Sequence, residues 1–156
     1  MSAQAQDLTI RKSITVDVPV EHAFEVFTER IGTWWPLETH SIEVMSTGKR
    51  PETAVFEPHV GGRVYERRSD GGEGFWATVA AFEPPHRLVL EWKVNPEAPA
   101  ATEIEVSFTP EGDGRTRVDL VHSGWEPYGD RAQEARDDYD SNWLGVLGKF
   151  KTEAEG

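Results

Sequence analysis

At 156 residues the chain is sized for one domain with a real core, and it has no cysteine, so disulfide frameworks and thiolate chemistry are excluded. Its net charge of −12 repels a phosphate backbone and sets nucleic acid aside as a partner. No stretch approaches the ~20 consecutive apolar residues of a membrane span, and the N-terminus MSAQAQDLTIRKS lacks the apolar run of a signal peptide; a soluble, cytoplasmic protein without membrane insertion is expected.

Residues 1–7 read as a flexible tail ahead of a single domain over 8–151. Leu8, Ile10, Ile14 and Val16 share one parity, interrupted by Lys12, which predicts a strand over 8–17. Pro19 suits the first position of a helix, where its missing N–H does no harm. Val20, Ala23, Phe24, Phe27 and Ile31 then form an amphipathic stripe, and Gly32 is the expected C-cap. Thr33-Trp34-Trp35-Pro36 predicts a short turn or helix. Its adjacent tryptophans cannot point the same way, so one should plug the core and the other face a cavity or solvent. Residues 37–52 carry the weakest pattern. A short edge strand around Ile42–Met45 is expected there, with Glu38 and His40 as candidates for the rim of an opening.

A strand over Thr53–Glu57 leads into three consecutive antiparallel strands. Gly61-Gly62 opens the first, Arg63–Arg68, and an Asp70-Gly71 turn leads to the second, Phe75–Glu83. Pro84-Pro85 ends that strand, because proline cannot donate to the ladder. In the third, Arg87–Val94, Leu88, Leu90 and Trp92 alternate onto one face. After a loop over 95–101, Thr102–Thr109 points Ile104, Val106 and Phe108 inward. Arg115–Gly124 does the same with Val118, Leu120 and His122. The last element is a helix from Arg131 to about Lys151, striped by Tyr139, Trp143, Val146, Leu147 and Phe150. Gly145 and Gly148 within it are expected to mark close approach to another surface.

This order predicts an α+β fold. A curved antiparallel sheet grips one long C-terminal helix, with two short helices after the first strand. A helix laid across a bent sheet leaves a gap that large side chains can line as a cavity. Six tryptophans are many for this length. The expected ligand-binding residues are Trp34 or Trp35, Val64, Trp76, Leu90, Trp92, Phe108, Leu120, Tyr139, Trp143 and Leu147, with plain core packing as the alternative for each. Glu66 shares the inward parity of Gly62 and Val64, and a buried carboxylate needs a partner. His122 is a candidate for that partner, and the pair would anchor a polar ligand group or transfer protons as acid and base. The alternatives are an ion-paired or solvated Glu66 and a satisfied core histidine. The five histidines show no ligand spacing, and the glycine pair precedes a strand rather than a helix, so neither a metal, a phosphate cradle nor a cofactor is expected.

Four segments carry a family resemblance: ITVDVPVEHAFEVFTERIGTWWP, GGRVYERRSDGGEGFWATVAAFEPPHRLVLEW, TEIEVSFTPEGDGRTRVDLVHSGW and YDSNWLGVLGKF. Together they resemble the START-like (SRPBCC, Bet v-like, helix-grip) superfamily. Within it the chain is similar to the small bacterial homologues of the heat-shock-protein-90 ATPase activator. The superfamily implies a hydrophobic cavity used for lipids, hormones, polyketides or aromatic substrates. The family name implies stimulation of a chaperone ATPase. Three readings follow. The first is a protein that binds a small hydrophobic or aromatic molecule, with Glu66 and His122 as polar anchors. The second is a cyclase, dehydratase or hydrolase using the same cavity. The third is an interaction module with a chaperone partner. The oligomeric state stays open, a homodimer included.

Overall fold

A computed structural model of the protein describes residues 8–95 and 97–156; the tail expected at 1–7 lies outside the described residues, as does Pro96 in the loop expected over 95–101. Seven strands form one antiparallel sheet: β1 (Ile10–Val16), β2 (Thr53–Phe56), β3 (Arg63–Arg67), β4 (Glu73–Glu83), β5 (Arg87–Trp92), β6 (Thr102–Pro110) and β7 (Thr116–Ser123). Their order across the sheet is β1-β7-β6-β5-β4-β3-β2. The sheet curls around the long helix α4 (Ala132–Glu155), which follows a 3-10 turn at Glu126–Arg131. Three helices lie between β1 and β2: α1 (Val20–Phe27), α2 (Ile31–Trp34) and α3 (Ile42–Thr47). The helix-grip architecture expected from the alternation is therefore present, with three short helices in place of two.

The alternation places the core. Leu88, Leu90 and Trp92 of β5, Ile104, Val106 and Phe108 of β6, and Val118 and Leu120 of β7 are buried on the inner face. They meet Trp143, Val146, Leu147 and Phe150 of α4. Lys12, the interruption in β1, reaches Asp140 of α4 at 2.8 Å and so ties the edge strand to the helix. Two β-bulges in β4 sharpen the curl. At the first, Val64 pairs with Ala77 while Tyr65 pairs with Phe75, leaving Trp76 as the extra residue. Trp76 and Ala77 are consequently both buried against the core, which simple alternation does not produce.

Three expectations are corrected. Helix α1 stops at Phe27 and is followed by Thr28, whose hydroxyl donates to the Phe24 carbonyl at 2.8 Å. Gly32 is not its cap. It lies inside α2, where a Cβ would overlap Thr53 Oγ1 and the Ala54 carbonyl of β2. Residues 42–45 are helical rather than an edge strand, for reasons given below. The glycines of α4 do not mark close approach either: Gly145 and Gly148 are exposed, and a Cβ at either would meet nothing within 4 Å. Each is therefore a plain helix-propensity cost of about 1 kcal/mol. Gly145→Ala and Gly148→Ala should each stabilise the protein by about that amount, read as a higher denaturant midpoint at unchanged slope. A loss of stability in either variant would mean that the α4 surface is in contact with something after all.

Candidate functional site

Helix α3 is short and begins with isoleucine, so its formation depends on what takes its first N–H groups. Ser41 is the N-cap, its Oγ accepting from Val44 N at 3.2 Å. Gly48 closes the other end with φ of 78°, a left-handed conformation that suits glycine. The two N–H groups left over point at β3. Ile42 N donates to Glu66 Oε1 at 2.7 Å and Glu43 N to Glu66 Oε2 at 2.8 Å. Trp76 Nε1 also donates to Glu66 Oε1, at 2.8 Å. The fully buried Glu66 carboxylate is thus an acceptor for three donors and holds α3 and Trp76 against the sheet. Its cross-strand neighbour is Gly74, where a Cβ would stand 2.9 Å from Glu66 Cγ and 3.3 Å from Ile42 Cδ1. A second carboxylate adds to the attachment: buried Glu43 accepts from Ser69 N at 2.9 Å and Ser69 Oγ at 2.5 Å.

Behind α3 lies a cavity of about 530 Å³, within the ~300–1,000 Å³ of small-molecule sites. Its apolar wall is Trp35, Trp76 and Trp92, with Ile42, Met45 and Val94. The three indoles form one cluster, with centroid separations of 5.0 Å (Trp35–Trp76), 5.8 Å (Trp76–Trp92) and 5.9 Å (Trp35–Trp92). Its polar side comes from Thr39, His40 and Ser41 on one bank and Asp138, Tyr139 and Asn142 of α4 on the other. The banks are joined. Asn142 Nδ2 donates to the Asp138 carbonyl at 2.6 Å, which leaves Oδ1 to accept from His40 Nε2 at 3.2 Å. A more open hollow of about 640 Å³ lies outside α1, floored by Phe24 and Phe82 and flanked by Glu21, Glu25 and Glu29. No tryptophan lines it, and the candidate site is placed in the smaller, walled cavity.

Every one of the six indole N–H groups has a protein partner, so the polar edges are committed and the faces are left for packing. Trp34 plugs the core, donating to the Val26 carbonyl at 2.8 Å, whereas Trp35 turns to the cavity and donates to the His40 carbonyl at 2.8 Å. Trp92 donates to Tyr139 Oη at 2.9 Å.

Of the residues expected at the site, Trp35, Trp76, Trp92 and Tyr139 line this cavity together. Trp34, Val64, Leu90, Phe108, Leu120, Trp143 and Leu147 lie in the packed core behind it. Glu66 and His122 are both fully buried and are not brought together: β3 and β7 are separated in the sheet by β4, β5 and β6. Glu66 acts on the cavity through Trp76. His122 stands behind Tyr139 and Trp143. Its Nδ1 accepts from Trp143 Nε1 at 3.1 Å, and an indole N–H can only donate, so the ring proton is on Nε2, 2.7 Å from Thr102 Oγ1. Burial pushes the His122 pKa down to about 3, so the ring is neutral at physiological pH.

The sequence reasoning did not place Thr39, Ser41, Ile42, Met45, Val94, Asp138 or Asn142 at the cavity. Asp138 and Asn142 could have been found, since they are spaced i, i+4 and each adjoins a residue of the expected stripe, Tyr139 and Trp143. For α3 the Ser41 and Gly48 caps were the available signal. Among the described residues no cluster of three His, Asp or Glu side chains is placed to hold a metal ion, and no helix is long and apolar enough to cross a membrane.

Comparison with known proteins bears on this site. The family model for activator of Hsp90 ATPase homolog 1-like protein matches residues 17–155. A solved structure described as an anthrahydroquino-gamma-pyrone synthase, Txn09, complexed with SUM, is 38% identical, with a TM-score of 0.62 over 92% of this chain and 95% of its own. CalC, a self-sacrificing resistance protein from Micromonospora echinospora, is 26% identical, with a TM-score of 0.71 over 94% of this chain and 93% of its own. The Aha1 dimer from Colwellia psychrerythraea shares the fold at 20% identity, with a TM-score of 0.66 over 94% of this chain and 96% of its own. No curated protein matches in sequence.

Proposed function

The chain belongs to the activator of Hsp90 ATPase homolog 1-like family, and we propose that it binds a planar aromatic small molecule in the cavity walled by Trp35, Trp76 and Trp92. The observation that carries this reading is the indole cluster itself. Three tryptophans border one cavity with their N–H groups bonded within the protein; Trp35 is the partly exposed one, backed by the buried Trp76 and Trp92, so what faces a guest is apolar ring surface. The polar bank opposite supplies the few groups that orient a guest. Glu66 and His122, expected as anchors, serve the guest indirectly here: Glu66 sets the Trp76 ring and His122 backs Tyr139. Titration with anthraquinone-2-sulfonate, followed by quenching of tryptophan emission, tests the reading. Saturable quenching at one molecule per chain is expected, weakened about tenfold by Trp35→Ala, as loss of a stacking partner and its buried area implies. Linear, unsaturable quenching that Trp35→Ala leaves unchanged would sink it.

A second reading has support of its own, from the 38% identity to a protein described as an anthrahydroquino-gamma-pyrone synthase. In that reading the cavity holds an aromatic substrate while a ring is closed on it. Side chains with exchangeable protons on the cavity include Tyr139 and His40, whereas Glu66 and His122 do not line it.

A further inference from the structure

We propose that the molecule held against the tryptophan wall carries a ring carbonyl, and that the Tyr139 hydroxyl is the hydrogen-bond donor that selects it. The proposal rests on the aromatic-binding reading above and adds the chemical class of the ligand.

A phenol has one proton to give and two lone pairs to receive. Tyr139 Oη receives from Trp92 Nε1 at 2.9 Å, and no acceptor among the described residues takes the Tyr139 proton. The indole N–H lies in the plane of its ring, so Tyr139 Oη sits near the plane of Trp92, at the edge of the wall. The Trp35 and Trp76 rings are inclined to Trp92 by 38° and 48°, so a guest stacked on either of them tilts across the Trp92 plane, and an oxygen on its rim can close on Tyr139 Oη to an O–H···O bond of about 2.7 Å. The wall is apolar, so a hydroxyl covered by a guest without an acceptor would be left unsatisfied. That outcome disfavours a bare hydrocarbon as much as it favours a carbonyl.

Most other donors on the cavity are engaged, apart from the second N–H of Asn142, and the Asp138 carboxylate can accept but not donate. His40 is held by Asn142 and Thr39, and Asn142 by the Asp138 carbonyl. Ser41 also has a hydroxyl proton, but it is only 3% exposed and caps α3 through Val44 N. The donor state of Tyr139 is secure. Burial raises its pKa above the usual phenol value, against a smaller opposing effect of the Trp92 bond, so the proton stays on at physiological pH. His122 and Trp125 pack on the ring with centroids at 5.0 Å and 5.6 Å, which fixes where the hydroxyl oxygen sits, while its O–H can rotate toward a guest.

The test compares two probes of equal charge and similar outline, anthraquinone-2-sulfonate and anthracene-2-sulfonate, on the wild-type protein and on Tyr139→Phe. Wild type should bind the quinone about tenfold more tightly, and the bound quinone's carbonyl stretch should shift to lower frequency. Tyr139→Phe should erase both the preference and the shift; because it also frees Trp92 Nε1, it can weaken binding of both probes, and the assignment is read from the ratio of the two affinities, which should fall to about one. Equal affinities in wild type would overturn the carbonyl assignment while leaving the aromatic site standing. So would a preference that survives Tyr139→Phe, or an equal loss for both probes in that variant. Failure of wild type to bind either probe would overturn the aromatic-binding reading and the assignment with it.

Discussion

Glu66→Ala should cost the protein about 3 kcal/mol and release α3 from the sheet, because three N–H donors, two of them buried and that of Ile42 half-buried, lose their common acceptor at once. Each stranded donor costs roughly 1–3 kcal/mol, but water entering from the cavity side can recover part of that for Ile42 and Glu43. Glu66→Gln keeps the shape and one acceptor oxygen but turns an NH₂ group toward a donor, so about half the loss is expected. Two readouts separate this from a general loss of packing. Denaturant unfolding gives the size of the effect. Hydrogen exchange gives its place: Ile42 and Glu43 amides should lose protection, while amides in the β6–β7 ladder keep theirs relative to global stability. Unchanged protection at Ile42 and Glu43 would show that α3 is held by its caps and by the Glu43–Ser69 contact alone. The consequence for the site is direct. Trp76 shares Glu66 Oε1 with Ile42, so the ring that forms a third of the aromatic wall loses its orienting bond in the same variant. Binding of an aromatic probe should weaken together with stability.

The α3 segment also shows why part of this molecule resists a reading from sequence. The strands from β5 to β7 and the stripe of α4 announce themselves, since one face of each is buried and the period is regular. Ile42-Glu43-Val44-Met45 has a strand-like composition, and only its flanks, Ser41 and Gly48, argue for a helix. What decides is tertiary: a carboxylate 23 and 24 residues away supplies the missing acceptors. Trp76 illustrates a second limit. Its direction depends on a bulge, and one extra residue flips every side chain after it to the other face. Parity put Glu66 on the inner face, and it is fully buried, but parity says nothing about how far along the curled sheet a partner lies. Its partners proved to be backbone groups of a local helix, and His122 found its own among Thr102 and Trp143. The aromatic composition pointed to a cavity wall, but composition cannot divide tryptophans between wall and core. That division needed the helix positions of Trp34 and Trp35 and the N–H partner of each ring.

Wild-type stability should fall by about 2 kcal/mol between pH 6.5 and pH 4.5 through His122 alone, and His122→Gln should abolish that part of the decline. The sign follows from where the proton goes. His122 has a pKa near 3 in the folded protein and an ordinary value of 6.5 when unfolded. Between those values the unfolded chain binds a proton that the folded chain does not. Stability is therefore full above pH 6.5 and is lost as the pH falls toward 3. Across the whole window the loss would be on the order of 4–5 kcal/mol, at about 1.4 kcal/mol per pH unit. The upper part of the window is the informative one. Glu57, Asp140 and Glu155 have pKa values lowered by backbone or side-chain hydrogen bonds with Arg63, Lys12 and Lys151. Their contributions are present above the ordinary carboxylate range and are lost mainly below about pH 4.5, and both proteins lose them alike, so the difference between wild type and variant isolates His122. Glutamine at position 122 can accept from Trp143 Nε1 and donate to Thr102 Oγ1 without titrating, so the comparison keeps both hydrogen bonds. Denaturant unfolding of both proteins at pH 6.5, 5.5 and 4.5 provides the measurement. Parallel losses would mean that acid reaches the ring without unfolding the protein, and that the Trp143–His122–Thr102 chain opens locally. A steeper loss in wild type would locate the acid sensitivity of the fold directly behind Tyr139, so that mild acid strains a residue that lines the cavity.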